Sequence, residues 1–389
     1  LFSVLPGGGA VSASPDLKGK ALSPSRTPMH ANLLEYSLPQ LQACLQDLGE
    51  APFRARQVWQ WTWQKGCSEF SDMTNLGLEL RSRLAARFSL KRPEVQDCLT
   101  SQDMTIKFLL RLADDGLIET VLIPEKDHYT LCLSSQVGCA LGCTFCSTGR
   151  MGFHRNLTPG EILGQVLVAR DHLQRTGNPL PLRNIVFMGM GEPLLNWPQV
   201  RHSLEIIRDP LGLNISRRRV TVSTVGVPDV LQDCAGTELA SLAVSLHAPD
   251  QRLREELMPR AARLMSVSDL VSVLREIPLK PRQRITIEYI MLRGVNDSVQ
   301  QARDLNRLLS GLRCKINLIA FNPGGGIDFQ PPAMEDILKF EQVLWDKGHT
   351  VILRKSKGQD IHAACGQLRS TRAQHNLDRE DTRIEYDHT

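Results

Sequence analysis

The sequence predicts an α/β protein: a mainly parallel sheet carrying crossover helices, preceded by a small helical unit. Three observations predict it. From Thr130 onward, β-rich runs at 130–134, 184–188, 219–223, 240–246, 284–290 and 315–320 are separated by stretches of helical periodicity, and strands spaced by helix-length intervals pair in parallel through right-handed crossovers. Residues 38–92 carry apolar positions at helical spacing with no comparable strand pattern. Glycines and small polar residues follow the carboxyl ends of the strand runs, where parallel sheets place their chemistry. Six βα units in a row fit either a partial barrel or a doubly wound layer.

The elements follow in order along a chain of 389 residues, long enough for one large and one small domain. Residues 1–34 form a tail rich in Gly, Ser and Pro, with too few large apolar residues to fold alone. The tail lacks the basic start and apolar core of a signal peptide, and Met29 is a candidate natural start. Residues 35–100 form the helical accessory domain. Its segment Phe53-Arg-Ala-Arg-Gln-Val-Trp-Gln-Trp-Thr-Trp63 mixes aromatic and basic residues on one expected helix. The tryptophans pack that helix onto the main domain, and the arginines are candidate phosphate contacts. Residues 101–128 read as a linking hairpin, two alternating runs at 105–112 and 117–123 around Asp115-Gly116. The core spans 129–355, with helices expected near 159–174 and 298–309. Residues 356–389 form a C-terminal segment.

Composition sets broad limits. The hydrophobic fraction is 42% and no apolar run approaches a membrane span. Ten cysteines without regular pairing fit a reducing compartment, hence a cytoplasmic protein. The net charge of +4 permits a nucleic-acid partner without arguing for one. Short basic clusters at Arg217-Arg218-Arg219, Lys355-Ser-Lys357 and His154-Arg155 are candidate phosphate contacts.

The most informative motif is Cys139, Cys143 and Cys146, spaced C-x3-C-x2-C and flanked by Gly138 and Gly142. Three thiolates this close hold three corners of a cubane iron–sulfur cluster, and one iron keeps an open position for a ligand. A structural zinc site is the alternative, with Cys132, His154, Cys98 or His172 as the fourth donor. Around the same rim the strand ends supply Gly189-Met-Gly-Glu-Pro193, Ser223-Thr224, Ser245-Leu246-His247 and Phe321-Asn322-Pro323. Together they suit a zwitterionic, ribose-bearing ligand.

Eight strings in order carry a resemblance: Phe53-Arg-Ala-Arg-Gln57, Thr130-Leu-Cys-Leu-Ser-Ser-Gln-Val-Gly-Cys139, Cys143-Thr-Phe-Cys-Ser-Thr148, Gly152-Phe-His-Arg-Asn-Leu157, Met188-Gly-Met-Gly-Glu-Pro-Leu-Leu-Asn196, Val244-Ser-Leu-His-Ala248, Leu292-Arg-Gly-Val-Asn-Asp297 and Ala363-Ala-Cys-Gly-Gln367. From about Pro52 to Leu368 the chain resembles the dual-specificity RNA methyltransferases of the RlmN type. These are radical S-adenosylmethionine (SAM) enzymes that methylate carbon 2 of adenine in 23S rRNA and in some tRNAs. The resemblance implies a partial (β/α)6 radical SAM barrel with an N-terminal accessory domain. It implies a [4Fe-4S] cluster on Cys139, Cys143 and Cys146, and a SAM site lined by Gly191, Glu192, Ser223, Ser245, Leu246, His247 and Asn322. Cys365 would be the cysteine that carries the methyl group, Cys132 its redox partner and Glu119 the proton acceptor.

The implied partners are 23S rRNA, tRNA and an electron donor such as flavodoxin, for a monomer that does not enter a membrane. Carbon 2 of adenine is electron-poor and does not attack an electrophilic methyl, whereas a protein thiolate does. The implied exchange between Cys132 and Cys365 requires Cα atoms within about 7 Å when their sulfurs bond, with Cys365 on a mobile loop at 358–366. The chain departs from the family's usual wording at His128, Ala320, Gln359 and His362, positions expected to touch no ligand. Carbon 8 of the same adenine is the alternative target, and a non-catalytic zinc- or RNA-binding module the alternative of another class.

Overall fold

The computed structural model describes residues 30–369. Ten strands form one sheet in the order Thr350–Arg354, Cys314–Ala320, Ile285–Met291, Ser241–Ser245, Val220–Thr224, Leu182–Phe187, Tyr129–Cys132, Leu117–Pro124, Ile106–Arg111, Glu94–Thr100. The first seven in that order are parallel to their neighbours. The last three continue the same sheet antiparallel. The two end strands are edges, as in a partial barrel.

All six expected parallel strands are present, within two residues of their expected bounds. The expected hairpin is present too. Asp115 takes a positive φ of 63° at its turn, and the Leu112 N–H donates to the Gly116 carbonyl at 2.8 Å. The sheet differs from expectation at both edges. Thr350–Arg354 is a seventh parallel strand. It is five residues long, leaves Ile352 exposed and runs into Lys355, so it reads as the start of a basic cluster. Glu94–Thr100, assigned to the helical accessory domain, is the other edge and pairs with Ile106–Arg111. Its residues are mostly exposed or half-buried, so no apolar alternation marks it.

The helices cover the sheet because their apolar faces match it. Pro159–Arg175 opens with a capping box in which Thr158 and Glu161 satisfy each other's backbone N–H groups, with Pro159 in the first turn. The helix is buried on most of its circumference, since it is packed between the sheet and the N-terminal unit. Val299–Leu309 opens with the same device, Ser298 and Gln301.

The N-terminal unit comprises Leu38–Asp47, Pro52–Trp63 and Leu78–Arg87, closed by Ala31–Asn32 pairing with Phe88–Ser89. Leu33 and Leu34, expected in the tail, are fully buried in the main core cluster, so residues 31–34 belong to the folded unit. The rest of the expected tail, 1–29, and residues 370–389 lie outside the described residues. Trp59 and Trp63 are buried edge to face, 5.7 Å apart. Trp59 Nε1 donates to Asp209 Oδ2 at 3.1 Å, and Arg170 donates to the carbonyls of Trp63 and Gln64 at 2.5 and 2.7 Å. The tryptophans therefore dock the unit onto the core.

Candidate active site

The first core strand, Tyr129–Cys132, feeds a short antiparallel ribbon, Gln136–Gly138 with Phe153–Asn156. Gly138 stands at φ 72°, and a Cβ there would lie 1.9 Å from the Gly152 carbonyl oxygen, so only glycine lets the loop close. The Cys139 N–H donates to that same carbonyl at 2.8 Å. The loop then runs through Cys143 to Cys146, whose N–H donates to the Cys143 carbonyl at 3.2 Å. Gly191 is the second required glycine: at φ 98°, a Cβ would lie 2.5 Å from the Gln136 Cβ.

Cys139, Cys143 and Cys146 line one cavity at the carboxyl ends of the parallel strands. Gly191, Glu192, Ser223, Ser245 and His247 line it with them. Burial pushes the Cys139 thiol up to about 12 and the Cys143 and Cys146 thiols up as well, so all three are neutral until a metal deprotonates them. Among the described residues, no three His, Cys, Asp or Glu side chains are grouped so as to hold one metal ion. Three thiols that line one cavity suit a polynuclear cluster, whose corners stand apart.

The walls are strongly polarised. Glu192 Oε1 accepts from the Leu194 N–H at 2.9 Å and Oε2 from the Val225 N–H at 3.0 Å. Burial raises its carboxyl to about 6, opposed by those hydrogen bonds. Its side chain thus holds the loops, while the Glu192 N–H donates to Gln136 Oε1 at 2.9 Å. His247 takes a positive φ of 58°. Its Nδ1 accepts from the Ile290 N–H at 3.0 Å, which puts the proton on Nε2. Phe145 stands edge-on to the ring at 5.0 Å. Burial, with Arg254 adding, lowers its pKa to about 3, so the imidazole is neutral. Ser223 and Ser245, at the ends of neighbouring strands, bring their Oγ atoms to 3.5 Å.

Cys365 lines this cavity and also a second one behind it. The second is lined by Cys132, Met188, Arg354, Lys355, Lys357 and Cys365. Burial pushes the Cys132 thiol up to about 12, Cys365 adding to the rise and Arg354 opposing it. The Arg354 guanidinium lines both cavities. Neighbouring Cys365 raises its pKa above the ordinary value, against burial and with help from Glu288, Cys132 and Glu125.

The loop expected to be mobile is docked in this conformation. Gly358 N–H donates to Asp103 Oδ2 at 3.0 Å, Asp360 accepts from Ser101 and Gln102, and the Gly366 carbonyl accepts from the Ser147 N–H at 2.7 Å. Beyond it, the Arg369 N–H donates to Glu119 Oε2 at 2.8 Å. Glu119 is fully buried and pairs with buried Lys107 at 3.3 Å.

Two residues expected at the SAM site do not line the first cavity. The Leu246 side chain is buried in the core cluster. Asn322 instead reaches the cysteine loop: its Nδ2 donates to the Cys365 carbonyl at 3.4 Å and its Oδ1 accepts from Gln359 at 2.7 Å. Gln359, one of the departures from the family's wording, thus holds Asn322 beside the Cys365 loop. Of the basic clusters, Arg155 is consumed by Asp114 and Glu161. Arg217 and Arg218 line a pocket at the opposite, amino-terminal ends of the strands, while Lys355 and Lys357 adjoin the two cysteines. The sequence reading missed Arg354, which stands on the strand it did not recognise. It also missed Arg254, a fully buried arginine. The only signal for Arg254 was its place beside Leu253 and Leu257 on the buried face of a helix.

Two family models match the chain: the ribosomal RNA large subunit methyltransferase N-terminal domain over residues 31–90 and the radical SAM superfamily over residues 133–305. A dual-specificity RNA methyltransferase RlmN of Solidesulfovibrio magneticus is 54% identical over 339 residues, covering 87% of this chain and 96% of its own. That of Nitratidesulfovibrio vulgaris is 54% identical over 348 residues, covering 87% and 94%. The crystal structure of a radical SAM methyltransferase from Sphaerobacter thermophilus superposes with a TM-score of 0.83 at 40% identity, covering 88% of this chain and all of that one. Among the described residues no helix is long and apolar enough to cross a membrane.

Proposed function

The chain belongs to the RlmN family of dual-specificity RNA methyltransferases within the radical SAM superfamily, and from that premise we propose that it methylates carbon 2 of adenine in 23S rRNA and in tRNA through a methyl group carried on Cys365. As a radical SAM enzyme it uses a [4Fe-4S] cluster and SAM. Cys139, Cys143 and Cys146 would hold the cluster, leaving one iron open, with SAM along Gly191, Ser223, Ser245 and His247. Bound there, these groups supply a methyl group, one-electron reduction and hydrogen abstraction.

The observation that carries the reading is that Cys365 faces both cavities, one with the three thiols and one with Cys132. Cys365 would take the methyl onto its sulfur as its thiol proton leaves; with one hydrogen atom then removed from that methyl, its carbon would bond to the electron-poor C2 and the adduct would give up one electron. The Arg354 guanidinium lines both cavities and opposes the burial that raises the Cys132 thiol. Glu119 accepts the proton that leaves C2. Its carboxylate is held by Lys107 and by the backbone of Arg369, so the segment carrying Cys365 and Arg369 shifts as the substrate enters. Cys132, giving up its proton, then attacks the Cys365 sulfur; the sulfur–carbon bond breaks, the released carbon takes a proton to become the methyl group of the base, and a disulfide is left. Lys355 and Lys357 meet RNA phosphates at the second cavity, and the adenine is unstacked to reach it. The protein works in the cytoplasm as a monomer, with a one-electron donor such as flavodoxin.

Base-resolved mass analysis of RNA from cells lacking and regaining this chain tests the reading. We expect 2-methyladenosine to vanish from rRNA and tRNA and to return. Return of 8-methyladenosine alone would overturn the choice of carbon 2.

A further inference from the structure

We propose that Arg254 is the counter-cation of the iron–sulfur cluster, a positioning residue whose fixed charge sets how readily the cluster accepts an electron. The inference rests on the cluster being held by Cys139, Cys143 and Cys146. Arg254 is fully buried. Its Nη1 donates to the carbonyls of Ser245 and Leu246 at 3.0 and 2.7 Å, and its Nη2 to that of Val225 at 2.6 Å. Its Nε has no partner. Every acceptor is a neutral carbonyl where two parallel strands end, and no carboxylate of the described residues forms an ion pair with it. A buried charge without a counter-ion costs several kcal/mol even with hydrogen bonds. A fold that buries one has an anion for it nearby.

The side chains that act on it electrostatically are Cys143 and Glu192. Both Glu192 oxygens are committed to the backbone N–H groups of Leu194 and Val225. Glu192 thus balances part of the charge without touching it, and Arg254 caps the carbonyls of Val225 and Ser245, which line the cavity with the three cysteines, so thiolates that ligate iron there would bring further negative charge beside it. The helix that carries Arg254, Gln251–Leu257, is also tied to the cysteine loop. The Leu257 carbonyl accepts the Thr144 N–H at 3.0 Å and the Thr144 hydroxyl at 3.3 Å, one residue past Cys143. The cation therefore keeps a fixed place beneath the loop. Reduction adds one negative charge to the cluster, and a nearby buried cation favours that form, because potentials follow net charge and burial.

The test uses the full chain, reconstituted anaerobically, in wild-type, R254M and R254K forms. Iron and sulfide content and an EPR-monitored potentiometric titration are read for each. We expect R254M to keep its iron and to shift its midpoint to more negative potential by a roughly tenfold change in the reduction equilibrium, ~59 mV for one electron. R254K keeps the charge but cannot span three carbonyls, and its midpoint should stay close to wild type. A fully loaded R254M with an unmoved midpoint would overturn the inference. If R254M does not load, an R254K that loads no better would overturn it too, since shape rather than charge would then be what the site needs. A wild-type chain that holds no cluster would instead defeat the ligand assignment on which the inference rests.

Discussion

In the N-terminal helical unit the large buried side chains are tryptophans and leucines, whose few polar atoms carry no charge, such as Trp59 Nε1, which donates to Asp209. At the carboxyl rim of the sheet the buried side chains are Glu192, His247, Arg254 and three thiols, each displaced from its ordinary pKa by burial. The first region is stable because apolar area leaves water. The second spends stability on charges and dipoles held in place for a charged ligand. The two should therefore answer differently to substitution: the helical unit in stability alone, the rim in chemistry first.

The largest expected contrast lies at Cys365. The C365A variant should lose RNA methylation by at least ~10³-fold while its iron content and melting temperature stay near wild type. Unimpaired methylation would mean that another group carries the methyl. Next comes W59A, which removes a buried aromatic from the helical unit. It should cost about 3–5 kcal/mol in denaturant unfolding while the surviving folded protein keeps its cluster spectrum. Loss of the cluster from folded W59A would break the separation of the two regions.

The Lys107–Glu119 pair lies between these cases, a buried ion pair under the C-terminal segment. E119Q should leave Lys107 buried without a full counter-charge and cost about 3 kcal/mol. The K107M/E119Q pair should recover part of that loss without recovering methylation. Full recovery of activity in the double variant would remove Glu119 from the chemistry.

A smaller effect per unit of change is expected from pH on the metal-free protein. His247 titrates near 3 when folded, against an ordinary value of 6.5. Between those values the unfolded chain binds a proton that the folded chain does not. The stability from a neutral His247 is thus fully present above about 6.5 and is lost as pH falls towards 3, by ~1.4 kcal/mol per pH unit. Glu192, raised to about 6, acts in the opposite sense between about 6 and 4.5. Comparing wild type with H247Q cancels that contribution. Equal slopes in the two proteins would show that His247 is not held neutral.

Much of this division was legible in the sequence. The parallel strands announced themselves because they are short runs rich in β-branched and aromatic residues, as Ile285–Met291 is, even where Thr286 and Glu288 interrupt the apolar pattern. The cysteine loop was legible because ligand spacing is local. What stayed hidden depends on contacts across the chain. Glu94–Thr100 and Thr350–Arg354 are edges with little apolar alternation. Nothing near Asn322 in sequence says that it would hold the Cys365 loop rather than the first cavity. Arg254 and Arg354 resemble surface arginines in one dimension, and only the packing of distant elements shows that Arg254 is buried and that Arg354 lines the two cavities that Cys365 joins.

The measurement that tests the central claim most directly is EPR of the anaerobically reconstituted, reduced protein before and after adding SAM. Three cysteines leave one iron for the sulfonium cofactor, so the account predicts a [4Fe-4S] signal that changes when SAM is added and disappears when any one of Cys139, Cys143 and Cys146 is replaced by Ala. A signal indifferent to SAM, or one tightly bound zinc in place of the cluster, would contradict it.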